Sequence, residues 1–159
     1  MNKRTLLKAI IKQLQAELQT FTRAAKSARA EATDEQSRAE NKYDTRGLEA
    51  SYLAAGQARQ VAELESAIAA FEALSARPIP LGEPIGMGAL VELEWNGERT
   101  VYFIGPCAGG TEVICGKREV LVITQQSPLG GQLYGRRQSE PLDLNLGGKQ
   151  QRAKVLSVS

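Results

Sequence analysis

Carboxylates crowd one short stretch of this chain. Glu31, Asp34, Glu35, Glu40 and Asp44 fall within or one turn before the segment TDEQSRAENKYD, residues 33–44. Side chains of this type hold hard divalent cations such as Mg²⁺, together with water and phosphate oxygens. A metal so held activates water or steadies a leaving oxygen. The same residues also describe a solvated, capped bend between helices, so both readings stand on composition alone. Little else in the chain offers chemistry. There is no His, which removes the usual general base, the commonest metal ligand and every Ser-His or Cys-His nucleophile. Cys107 and Cys115 are the only cysteines, and without His they do not complete a zinc set. Gly130-Gly131 and Gly147-Gly148 read as turn glycines, since neither sits in a strand–loop–helix nucleotide motif. No catalytic constellation is visible, and the expectation is a protein that is not itself an enzyme.

The elements that position the acidic segment are legible in the spacing. Leu7, Ile11, Leu14, Leu18, Phe21, Ala25, Ala28 and Ala32 step by four and three without a break, the pattern of a coiled-coil seam. Neither Gly nor Pro interrupts residues 1–46. A second seam runs through Tyr43, Gly47, Ala50, Ala54, Gln57, Val61, Leu64, Ile68 and Phe71. Both are large at the end far from the acidic segment and small near it. That mirror symmetry predicts an antiparallel helical hairpin over residues 1–77, with its tip near 33–40. Two cap signals compete for the start of the return helix, Thr33-Asp34-Glu35-Gln36 and Ser37-Arg38-Ala39-Glu40. Gln57 is a polar break that fixes register. Gly47 and Gly56 weaken a helix, and close helix approach would account for them. The return helix is expected to end near Ser75, ahead of Arg77-Pro78-Ile79-Pro80.

Residues 78–88, with Gly82, Pro84, Gly86 and Gly88, read as a linker. From Ala89 the period changes to two. Strands are expected at 89–95 and 99–104 around an Asn96-Gly97 hairpin turn, at 111–115 and 119–124, and at 141–146 and 151–158 around Gly147-Gly148. Ser127-Pro128-Leu129-Gly130-Gly131-Gln132-Leu133-Tyr134-Gly135 reads as a capped short helix: Ser as cap, Pro at the first position, Gly as terminator. The fold class is therefore α+β: a long N-terminal antiparallel coiled-coil hairpin followed by a small β-sheet domain, residues 89–159, with one short helix. Arg136-Arg137 reads as a partner-binding patch or as a solvated turn.

The chain has 159 residues, 5% aromatics and a net charge of +2. The scarcity of aromatics fits a long helical element rather than one large core. The charge is too small to announce a nucleic-acid binder. Lys8, Lys12 and Gln13 interrupt any signal-peptide core, and no apolar run approaches the ~18 residues of a membrane span. A soluble, cytoplasmic monomer without a membrane partner is expected.

Taken together, the two halves resemble the Gre transcript-cleavage factors of bacterial RNA polymerase. The residues that carry the resemblance are Glu40-Asn41-Lys42-Tyr43, the S-P-L-G-x-x-L-x-G run from Ser127 to Gly135, and the final hairpin around Gly147-Gly148 leading into Lys154-Val155-Leu156-Ser157-Val158. The resemblance spans nearly the whole chain. It implies an FKBP-like C-terminal domain that docks on RNA polymerase, with Ser127, Pro128, Leu129, Gly135 and Arg136 as docking candidates. It implies a coiled coil inserted in the secondary channel, close to transcript RNA. It also implies tip carboxylates that help hold a Mg²⁺ shared with the polymerase active site, with no cofactor bound stably by this chain. Glu40 matches the family's tip Glu; Asp34, Glu35 and Asp44 are the other candidates, and Glu40 and Asp34 would be the metal ligands, within the polymerase complex only. One departure stands out. The family pattern D-x-x-E-N has Ser37 in place of its Asp. Members with altered tips modulate or inhibit the polymerase without promoting cleavage, which is the alternative function. Two rivals belong to other classes: a prolyl isomerase or chaperone module, which needs an aromatic-lined pocket, and a coiled-coil adaptor.

Overall fold

The computed structural model describes residues 2–33 and 45–159. Two long helices lead, α1 (Lys3–Thr33) and α2 (Arg46–Glu72). Strands β1 (Leu90–Trp95), β2 (Glu98–Gly105), β3 (Glu112–Cys115) and β4 (Arg118–Thr124) follow. A short helix α3 (Pro128–Leu133) precedes strands β5 (Pro141–Leu146) and β6 (Lys149–Val158). The fold class is the expected one: two N-terminal helices, then a mixed sheet with one short helix. The chain divides into two compact units, residues 12–69 and residues 1–11 with 70–159.

The first unit is the arm. At ~1.5 Å per residue, residues 12–33 of α1 make a rod of about 33 Å within it. Leu14 and Ala28 on α1 and Ala50 and Leu64 on α2 are buried. One solvated helix cannot bury its own side chains, so the two seams cover each other. Ile11, Leu18, Phe21 and Ala25 are half-buried, as are Gly47, Ala54, Gln57, Val61 and Ile68. The spacing rule thus found the buried stripe of both helices. Three details differ from expectation. Thr33 does not cap the return helix. It is the last residue of α1, and its hydroxyl donates to the carbonyls of Arg29 at 3.0 Å and Ala30 at 3.2 Å. Gly56 is exposed, and a Cβ there would meet nothing within 4 Å, so close helix approach does not explain it. α2 also stops at Glu72, short of Ser75, with the Leu74 N–H donating to the Phe71 carbonyl at 3.2 Å.

The second unit is built on a six-stranded sheet in the order β3-β4-β2-β1-β6-β5. All neighbours are antiparallel except β2 and β4, which run parallel from Val101↔Val120 to Gly105↔Thr124. Every expected strand is present. The central strands β1, β2 and β4 bury residues on both faces, which period-two alternation does not predict, whereas β3 and β5 alternate buried and exposed residues. One face carries Val91, Leu93, Tyr102, Ile104, Leu144 and Val155 into a single core with Leu133 of α3. The other carries Phe103, Val120 and Val122, all essentially inaccessible. Phe71, from the last turn of α2, lies over Phe103 with ring centroids 6.4 Å apart. Leu6 and Ile10, off the α1 seam, are also fully buried, because the first turns of α1 belong to this unit and bury a second stripe. Lys3 is buried as well; its ammonium donates to the Arg77 carbonyl at 2.9 Å, and burial lowers its pKa.

Candidate functional site

Among the expected site residues, the structure brings together those around α3. Ser127 leaves β4 in extended backbone, and its hydroxyl works twice. It accepts from the Gly130 N–H at 3.1 Å and donates to the Thr124 carbonyl at 2.8 Å. Pro128 follows at the first helical position, where a missing N–H is harmless. A Cβ on Gly130 would sit 1.9 Å from the Thr124 carbonyl oxygen, so no other residue fits there. Leu129 packs half-buried against the core and Leu133 enters it completely. Gln132 clasps β5: its amide donates to the Asn145 carbonyl at 3.0 Å and accepts from the Asn145 N–H at 2.8 Å.

The far end of α3 turns through Gly135, at φ +82°. This loop is stitched to the segment 78–88. The Gly135 N–H donates to the Ile85 carbonyl at 2.8 Å, and the Ile85 N–H donates to the Arg136 carbonyl at 2.7 Å. The Arg137 guanidinium donates to the Gly82 carbonyl. Ile85 is 1% exposed. The segment is therefore fastened along the loop, and it closes a tight turn at Pro80–Glu83, where the Glu83 N–H donates to the Pro80 carbonyl at 3.1 Å. Leu81 stands at the apex of that turn and is 87% exposed.

The docking candidates thus divide by role. Ser127, Leu129 and Gly135 build the loop; Pro128 and Arg136 are exposed upon it. Leu81 was missed as a surface residue. A signal was present: a Leu between Pro80 and Gly82 occupies the second position of a turn, where a side chain has nowhere to bury.

Glu40, Asp34, Glu35 and Asp44 lie outside the described residues, as do Ser37, Asn41 and Lys42. The described chain resumes at Thr45, whose hydroxyl donates to the Glu49 carboxylate at 3.1 Å ahead of α2. No cluster of metal-binding side chains occurs among the described residues. Cys107 and Cys115 are free thiols, and burial pushes the Cys107 pKa up, away from the nucleophilic thiolate. Tyr102 and Phe103 are 5% and 1% exposed, on opposite sheet faces, so neither lines an open prolyl pocket. No described helix is long and apolar enough to cross a membrane.

No protein-family model matches the chain, and no curated protein does. Solved structures do. GreA factor homolog 1 (Gfh1) of Thermus thermophilus is 26% identical over 96% of each chain, with a TM-score of 0.39. Gfh1 of Thermus aquaticus is 26% identical, covering 95% of this chain and 94% of that one, with a TM-score of 0.40. The prokaryotic transcription elongation factor GreA/GreB of Nitrosomonas europaea is 18% identical, covering 70% of this chain and 92% of that one, with a TM-score of 0.37.

Proposed function

We propose that this protein is a transcription elongation regulator that binds RNA polymerase. The sheet domain docks by the face around α3, and the helical arm enters the secondary channel. The observation that carries this reading is the taper of the arm. Its buried seam runs from Leu14 and Leu64 to Ala28 and Ala50, so the hairpin is thinnest where it approaches residues 34–44. A rod of about 33 Å whose buried side chains shrink toward the acidic segment suits a confined passage. Pro128, Arg136 and the exposed Leu81 would make the docking contacts, while Ser127, Gly130 and Gly135 hold their loop in shape. Arg offers bidentate, charge-assisted hydrogen bonds to an acidic partner surface, and a rigidly held apolar side chain suits an interface anchor.

Two outcomes at the polymerase active site follow from one tip. With Glu40 assisted by Asp34 or Glu35, the carboxylates would help hold a Mg²⁺ shared with the polymerase, which would supply an activated water for cleavage of backtracked RNA. Ser37 favours the second outcome, modulation without cleavage. It places a hydroxyl where the family pattern has a carboxylate, and Arg38 and Lys42 weaken the local negative field. RNA release from a stalled, backtracked elongation complex separates the two. Release that is lost in Glu40→Ala marks the cleavage factor. Slowed elongation without release marks the modulator. No association with polymerase at low salt removes both.

A further inference from the structure

The arm is closed at both ends and loosest in the middle. Leu14 and Leu64 close its seam at the inner end, and Ala28 and Ala50 close it at the outer end. Between these levels, among the described residues 15–27 of α1 and 51–63 of α2, none is buried. Leu18, Phe21, Ala54 and Val61 lie on the seam there and are only half-buried. The two helices therefore hold each other least over this stretch.

Three local features fall within that same stretch. Gly56 stands in the interior of α2, where a Cβ would meet nothing within 4 Å. Packing does not require it, and it leaves the backbone freer than any other residue would. Gln57 follows it on the seam, and its Oε1 is buried with no hydrogen-bond partner among the described residues. Opening the seam returns that oxygen to water, so the orphaned carbonyl lowers the cost of opening. On α1 the Thr20 hydroxyl donates to the Ala16 carbonyl at 3.2 Å. Back-bonding of this kind competes with the helical ladder and bends helices. Bends in long helices have such local causes, glycine and polar groups that disturb the ladder among them. Here they coincide on both helices of the pair.

We propose that the arm carries a hinge at its middle, formed by Gly56 and Gln57 on α2 and by the turn of α1 at Thr20. The outer half, residues 24–33 with 46–53, bends on the inner half as a unit. The hinge belongs to the arm itself and holds whether or not the chain meets a polymerase. Hydrogen exchange of the full-length protein, resolved by residue with NMR, tests it, each amide rate being divided by its intrinsic rate. The amides of residues 57–61 and 19–23 are expected to exchange about tenfold faster than those beside Leu64 and Leu14. They are also expected to exchange faster than those beside Ala50 and Ala28, so that protection has a minimum in the middle of the arm. Gly56→Ala combined with Gln57→Leu fills open space and removes the orphaned oxygen. The pair is expected to slow exchange at the middle by about fivefold or more and to leave the amides beside Leu14 and Leu64 as they were. Gln57→Glu puts a charge at the same point and is expected to speed exchange there. Two results would overturn the proposal. One is protection that falls steadily from the inner end to the outer end, which is fraying and not a hinge. The other is exchange at the middle that is indifferent to these substitutions.

Discussion

The arm and the sheet domain are held together by different means. Among the described residues between 12 and 69 the buried apolar side chains are Leu14, Ala28, Ala50, Leu64 and Ala67, and three of the five are alanines. At ~0.8 kcal/mol per buried methylene or methyl-sized group, alanines contribute little each. The arm therefore leans on local helix formation, and its seam even carries a polar side chain. Gln57 has its Oε1 buried with no hydrogen-bond partner among the described residues. The sheet domain does the opposite. It buries both faces of its central strands, with Tyr102 on one and Phe103 under Phe71 on the other. The difference teaches a division of labour. Stability in the domain rests on its core, whereas the arm has few buried side chains, so each of them counts for a larger share there.

The sharpest way to break this contrast is a large-to-small change in the domain. Phe103→Ala removes the ring beneath Phe71 and is expected to destabilise the domain by about 3–5 kcal/mol, read by urea unfolding. An equal loss in the arm for Leu18→Ala, at a half-buried position, would erase the distinction. Gly130→Ala comes next. The added methyl collides with the Thr124 carbonyl, and a loss of about 1–3 kcal/mol is expected as the α3 loop deforms. In the arm the signs reverse. Gln57→Leu removes a buried, unpaired carbonyl oxygen and is expected to stabilise the helices by about 1–2 kcal/mol, measured by thermal unfolding at a helix signal. Gly56→Ala is the smallest change. The site is open, so the substitution is expected to add about 0.5–1 kcal/mol from helix propensity alone. A destabilising Gly56→Ala would show that the glycine serves a packing role absent from the structure.

Much of the fold could be read from residues alone, because the periods were clean. Four-three spacing marked the seams, period two marked the strands, and Ser127-Pro128 marked a helix start whose cap the structure contains. What spacing could not give was long-range partnership. Leu6 and Ile10 sit off the α1 seam, and only the docking of the first turns into the sheet unit explains their burial. Residues 78–88 looked like a linker from their Gly and Pro content. Yet Ile85 enters the core and bonds to the loop at Gly135 and Arg136, a pairing across some fifty residues that composition does not encode. Thr33 carried a valid cap signature and lost to continuation of α1. The candidate site was half legible: the loop-building residues followed from turn chemistry, whereas the turn signal at Pro80-Leu81-Gly82 was read only as part of a linker. Glu40, Asp34, Glu35 and Asp44 stay as the sequence presents them.

The central claim is that the α3 face docks on RNA polymerase. The most direct test is the affinity of the full-length protein for core RNA polymerase at low salt, compared with Leu81→Ser combined with Arg136→Ala, and with Glu40→Ala. The account predicts measurable binding, a loss of about tenfold or more in the double variant as an anchor and a charged contact disappear, and no change in Glu40→Ala. Absent binding, or a double variant that binds as well as the parent chain, would contradict it.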